Sequence, residues 1–183
     1  MKKLLMLLAV VVFFMTQLVA QTPTFNKGDK VINFGIGLGS ATYSGFNMSA
    51  LFSGSFEVGI IDNIAKKGTI GVGGFLGFSS YKNPYHYYSY RYSDFIFGGR
   101  GTFHYPLVNK LDTYAGVMLG YDIGSSHYLG SGTEPKYDPS LGGFVSILNA
   151  GVRYYFSRNF AAMSELGFGY GTVYLSFGGA IKF

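Results

Sequence analysis

Residues 32–39 read Ile-Asn-Phe-Gly-Ile-Gly-Leu-Gly. Ile32, Phe34, Ile36 and Leu38 recur at every second position, with Asn33, Gly35, Gly37 and Gly39 between them. A period of two puts each set on its own face of an extended strand. A helix would scatter both sets around its circumference, and each glycine would cost it about 1 kcal/mol relative to alanine. The stretch is predicted as a strand.

The same alternation returns seven times downstream. Phe52, Phe56, Val58 and Ile60 oppose Ser53, Ser55, Glu57 and Gly59. Ile70, Val72, Leu76 and Phe78 oppose Gly71, Gly73, Phe75 and Gly77. Phe95, Phe97, Phe103 and Tyr105 oppose Asp94, Gly98, Arg100, Thr102 and His104. Ala115, Val117, Leu119 and Tyr121 oppose Tyr114, Gly116, Gly120 and Asp122. Leu148, Ala150, Val152, Tyr154 and Phe156 oppose Asn149, Gly151, Arg153 and Tyr155. Leu166, Phe168 and Tyr170 oppose Glu165, Gly167 and Gly169. Val173, Leu175, Phe177, Ile181 and Phe183 oppose Tyr174, Ser176, Gly178, Ala180 and Lys182.

The chemistry of the polar face decides what these strands build. A soluble sandwich shows long, solvated Lys and Glu on its outer face; here that face is mostly Gly, Ser, Thr and Asn with isolated charges. Small residues and a few ions suit the inside of a narrow barrel whose apolar face meets lipid. Hydrocarbon forbids an open sheet edge, so the strands must close on themselves. The composition agrees: 28 glycines and 19% aromatic residues, with only 13% charged, against a typical charged share of about 25%. The expected fold is an all-β, eight-stranded antiparallel up-and-down transmembrane β-barrel. A ten-stranded count would need a hairpin within Ser125 to Ser140, where Pro135 and Pro139 oppose long strands.

Connections alternate in length. Turns near Asp62-Asn63, Pro106 to Leu111 and Ser157-Arg158-Asn159 are read as short and periplasmic. Ser40 to Ser49, Tyr81 to Tyr92 and Ser125 to Ser140 are read as long outer loops, and Gly171-Thr172 departs from that pattern. Ahead of all this, Lys2 and Lys3 precede the apolar run Leu4 to Met15, and Leu18-Val19-Ala20 follows. That is the three-part pattern of a secretory signal. The expected organisation is a cleaved signal at 1–20 and a barrel domain at 21–183. With no cysteine, neither a lipoprotein anchor nor a disulfide is available. The formal charge of +5 falls by two when Lys2 and Lys3 leave, and the remaining basic residues form no cluster in sequence, which gives nucleic-acid binding no support.

The last ten residues, Tyr174 to Phe183, put apolar residues at alternate positions and finish on Phe. This resembles the C-terminal targeting signal of outer-membrane barrels. Across residues 31–183 the eight-segment layout resembles the small-barrel group that includes outer-membrane proteins A and X. The resemblance implies location in the bacterial outer membrane, contact with its lipids, and passage through the barrel-assembly machinery.

Parity points Glu57, Asp94, Arg100, Asp122, Arg153, Glu165 and Lys182 inward. Arg153 and Glu165 flank a short turn at matched distance and are read as direct cross-strand partners. With Glu57 and Arg100 they are expected to form an interior polar network, either closing the lumen or gating protons or small ions. Tyr85, Tyr87, Tyr88 and Tyr90, with Tyr81 and Tyr92, read as an aromatic girdle or as a loop surface that contacts an extracellular ligand or partner protein. Ser126-His127 lies near Glu134 and Asp138, but adjacency in sequence does not make a catalytic triad. His86, His104 and His127 have no metal-ligand spacing, and the Gly-x-Gly runs sit in strands without the following helix a phosphate loop needs. No catalytic residue, cofactor site or metal site is assigned. A structural or surface-interaction barrel is the leading reading. A narrow channel and a lipid A-modifying enzyme are the alternatives.

Overall fold

The computed structural model describes residues 24–41, 49–85, 88–130, 142–170 and 172–183. The signal expected at 1–20 lies outside them. Eight strands follow in order: β1 Lys30–Ala41, β2 Ser49–Ile64, β3 Gly68–Tyr85, β4 Tyr88–Val108, β5 Leu111–Tyr128, β6 Gly142–Tyr155, β7 Phe160–Tyr170 and β8 Thr172–Lys182. Each pairs antiparallel with the next, and β8 pairs with β1 to close the ring. Closure leaves no unpaired edge, the condition that hydrocarbon imposes on a sheet.

The face reading follows the alternation. Phe34, Ile36, Leu38, Leu76, Leu119, Leu148 and Phe168 are each more than half exposed on the outer wall. Glu57, Arg100, Asp122, Arg153 and Glu165 are buried. Hydrophobicity is therefore inverted relative to a water-soluble barrel. No helix among the described residues is long and apolar enough to cross a membrane, and the strands supply the apolar surface instead. Where Gly54, Gly74 and Gly99 face outward, the wall dips into an apolar groove of about 740 Å³.

The strands outrun the segments that alternation marked. β3 and β4 stay paired from Thr69↔His104 to Tyr85↔Tyr88, so the stretch from Tyr81 to Tyr92 is a projecting hairpin, not a loop. β5 follows it up to Tyr90↔Tyr128. Tyrosines are good strand formers and keep the ladder going beyond the barrel. At the other end, β4 runs through Pro106 at a register shift, where a missing N–H costs no ladder bond. The β4–β5 turn narrows to Asn109-Lys110, with Lys110 at φ 64°. The β2–β3 turn also falls later than Asp62-Asn63, at Ala65 to Lys67, after irregularities at Ile61 and Ile64.

Glycine enables the tight curvature. A methyl group on the lumen side of Gly73 would overlap the Phe56 carbonyl, and one on Gly178 the Phe34 carbonyl. Outward-facing Gly101 meets nothing within 4 Å. We expect Gly73→Ala to destabilise the barrel by about 1–3 kcal/mol through overpacking. Gly101→Ala should be neutral or slightly stabilising. Urea midpoints in lipid vesicles check both, and equal midpoints for the pair would contradict this packing.

Candidate functional site

The lumen is filled in layers. At the short-turn end, Phe25, Val31, Tyr155, Ala161 and Ala180 form an apolar floor. Phe25 comes from the segment before β1, which folds beneath the barrel. Thr69 Oγ1 donates to the Phe25 carbonyl (2.9 Å) and Lys182 Nζ to the Thr24 carbonyl (2.9 Å). Sequence periodicity gave no hint of this floor, because Phe25 belongs to no strand. Lys182, expected inside, does face inward but at this rim, half-buried, 5.2 Å from the Tyr155 ring centroid and 3.5 Å from Asp29.

Above the floor lies an ionic layer in two joined halves. In the first, Arg153 donates to Glu57 (2.5 Å), Asp112 (2.9 Å) and the Asn33 side chain (2.9 Å). His104 places Nδ1 2.9 Å from Asp112 and Nε2 2.9 Å from Glu57, and the Thr102 hydroxyl donates to Glu57. In the second, Arg100 spans Glu165 with bonds of 2.8 and 3.3 Å. Tyr114 and Tyr174 donate to the same carboxylate at 2.8 and 2.6 Å. Tyr114 links the halves, since the Arg153 guanidinium lies 4.5 Å from its ring centroid and that of Arg100 5.6 Å. Each nitrogen of His104 faces a carboxylate, and Nε2 also lies 3.0 Å from the Thr102 hydroxyl.

The structure thus brings Glu57, Arg100, Arg153 and Glu165 into one cluster but pairs them differently from the sequence reading. Arg153 lies opposite Met163, and Glu165 opposite Gly151. The turn explains the offset of two residues. Ser157 N–H donates to the Phe160 carbonyl, and Phe160 N–H donates to Ser157 Oγ (3.0 Å), so Tyr155 meets Ala161. Turn geometry fixes hairpin register. Asp112 was missed because it touches the turn, although it shares parity with Tyr114 and Asp122. His104 was on the correct face, yet its role needs the cross-lumen view that no single strand provides.

The third layer is apolar: Leu51, Phe75, Ile96, Met118, Val145, Ile147 and Tyr174 meet across the lumen. Asp94 and Asp122 are buried above it, toward the hairpin end. Asp94 accepts a 3.5 Å bond from Ser79.

The rim carries the tyrosines. Tyr81 and Tyr92 stack at 5.3 Å, and Tyr90 packs on Tyr92 (6.2 Å) and Tyr128 (5.3 Å). Their parity continues that of Ser79 and Asp94, so they line the inner side of the projecting sheet. A girdle needs the lipid-facing side, and that reading fails for Tyr81, Tyr90 and Tyr92. Tyr85 and Tyr88 are the last paired positions of the hairpin; their side chains, and Tyr87, lie outside the described residues. Ser126 and His127 are successive strand residues and point to opposite faces, His127 exposed and Ser126 half-buried. Glu134 and Asp138 lie outside the described residues. No group of three or more His, Cys, Asp or Glu suited to a metal occurs among the described residues.

No family model and no curated protein matches the sequence. Solved structures do match the fold. Ail, the attachment invasion locus protein of Yersinia pestis, aligns over 86% of this chain and 99% of its own, at 10% identity and a TM-score of 0.55. The N-terminal β-barrel domain of Pseudomonas aeruginosa OprF aligns over 86% and 98%, at 16% identity and 0.54. The outer membrane protein OprG from the same organism aligns over 88% and 99%, at 10% identity and 0.55. The chain has the fold of small, eight-stranded outer-membrane β-barrels.

Replacing Arg153 removes the guanidinium that Glu57 and Asp112 share and leaves these two buried carboxylates with only the His104 ring between them. We expect Arg153→Ala to cost about 3–5 kcal/mol, the range for breaking a buried ion pair from one side. A urea titration in vesicles, followed by gel mobility, reads this as a lowered midpoint. A midpoint equal to wild type would refute a stabilising role for the cluster.

Proposed function

We propose that this chain is an integral outer-membrane protein without enzymatic activity, which holds a tyrosine-lined hairpin at the cell surface above a closed barrel. One observation carries the reading: buried Arg, Glu and Asp inside a ring whose exterior is Phe, Leu, Ile and Tyr. Such a wall in water would bear an apolar surface far larger than soluble monomers tolerate. An Arg turned outward at the membrane midplane would cost about 2–4 kcal/mol.

Closure of the lumen is supported by the stacked layers. A small ion would have to pass the ring formed by Phe75, Ile96, Met118 and Ile147 without a hydrogen-bonding partner, at a large desolvation cost. Below that ring, the guanidinium and carboxylate groups are engaged with one another instead of solvating a path. A channel would have to dismantle both layers. The lipid-modifying reading loses its Ser-His pair, whose members face opposite sides of β5.

The surface role rests on the hairpin. Stacked tyrosines give a rigid, amphipathic contact area at low entropic cost. They stand on strands fixed by the barrel, which suits binding of a surface partner or a neighbouring envelope component. Export through the N-terminal signal, and recognition of the outward-facing Phe183 strand by the barrel-assembly machinery, complete the proposed route to the membrane.

Outer-membrane fractionation, together with a gel-mobility change on heating in detergent, tests the location. In planar bilayers we expect no stepwise conductance from the folded protein. Discrete single-channel openings would overturn the closed-lumen reading, and recovery in the soluble fraction would overturn the membrane reading itself.

A further inference from the structure

On the outward face of β3, β4 and β5, three rows of side chains lie in direct register at the hairpin end. Phe78, Phe95 and Ile123 are cross-strand neighbours and form the last apolar row. Two residues further along come Ser80, Ser93 and Ser125. Ser93 Oγ donates to Ser80 Oγ (3.1 Å), and Ser125 Oγ donates to the Ser93 carbonyl (3.4 Å). Two residues further again come Lys82, Arg91 and His127, all exposed.

This last row runs against what a sheet prefers. Like charges placed directly opposite one another are destabilising, yet Lys82 faces Arg91 with His127 on its other side. Among the described residues no carboxylate pairs with any of the three. Glu57, Asp94, Asp112, Asp122 and Glu165 are buried inside the barrel, while Asp29 and Asp62 belong to the opposite end. Among the described residues the row is a basic strip with no counter-anion of its own, a surface suited to binding one.

Its dimensions and order indicate which anion. Two interstrand spacings make the row about 10 Å wide, broader than a single phosphate and suited to a headgroup with two. Arg recognises phosphate through its planar fork and Lys as a point charge. The sequence of rows, apolar then hydroxyl then basic, matches a lipid read from acyl chain through sugar to phosphate. Long Lys and Arg stems can lie along the wall while their heads meet the interface.

We propose that Lys82, Arg91 and His127 form a docking site for the phosphates of a diphosphorylated sugar lipid in the leaflet on the hairpin side. The site rests on the membrane reading above. It fixes the height of the barrel in that leaflet and tethers the projecting hairpin to the surface lipid.

The test folds wild type, K82Q/R91Q/H127Q and the opposite-rim control K66Q/K110Q into phosphatidylcholine vesicles, with a heat-dependent mobility shift certifying each. Diphosphorylated lipid A is the probe, its fully dephosphorylated form the comparison, and inorganic phosphate the competitor. The expected result is binding by wild type and control, a loss of about tenfold in the triple variant, weak binding of dephosphorylated lipid, and no displacement by millimolar phosphate. The proposal is overturned if the triple variant binds like wild type, if the control loses as much, or if dephosphorylated lipid binds equally. Displacement by inorganic phosphate would make the row a free-anion site and overturn it too. A wild type that never inserts into vesicles sinks the membrane reading; an inserted one indifferent to the triple substitution sinks this site alone.

Discussion

Arg153 is fully buried, and its guanidinium bonds to Asn33, Glu57 and Asp112. Those partners stand on β1, β2 and β5, while Arg153 itself stands on β6. One side chain therefore ties four strands together across the lumen, at positions far apart in sequence. A guanidinium has no comparable partner on the outer wall, where the side chains are Phe, Leu and Ile. The requirement that every buried ion be paired thus fixes which face of each strand points inward. Because strand alternation is strict, one correctly placed Arg sets the sidedness of its whole strand.

The same requirement explains the layering. Charges gather where several strands can satisfy one carboxylate at once, as Arg100, Tyr114 and Tyr174 do for Glu165. Directly above, the section is filled by apolar side chains that ask nothing of their neighbours. Lumen-facing glycines let strands curve tightly, since a methyl group at several of them would meet the adjacent backbone. The barrel is narrow because of those glycines, and its interior is packed with the side chains described above. Under the function proposed above, such a cylinder serves as a mount and its extended β3–β4–β5 sheet is what it presents.

Period-two alternation made the eight strands and their inner faces legible, and Glu57, Arg100, Arg153 and Glu165 could be assigned a side from parity alone. Who pairs with whom was not legible. Register depends on turn geometry, and the β6–β7 turn moved Arg153 two residues away from Glu165. His104 and Asp112 complete the cluster only when β2, β4, β5 and β6 are curled around one axis, which sequence spacing does not encode. Phe25 lies outside any periodic stretch, and the floor it forms has no sequence signature. The hairpin through Tyr81 and Tyr92 looked like a loop because its polar and aromatic residues lack an apolar face. Cross-strand tyrosine stacking holds it together in place of burial. The basic row at its edge was invisible for a related reason: Lys82, Arg91 and His127 are scattered in sequence and meet only through register.

The central claim is that alternate residues of one strand face acyl chains and a sealed interior. The chain has no cysteine, so a single nitroxide can be placed at will along β6. Labels introduced in turn at residues 147 to 152, in vesicle-embedded and heat-shift-verified protein, should show oxygen collision rates that alternate: high at Leu148, Ala150 and Val152, low at Ile147, Asn149 and Gly151. Rates without that alternation, or with the two sets exchanged, would contradict the account.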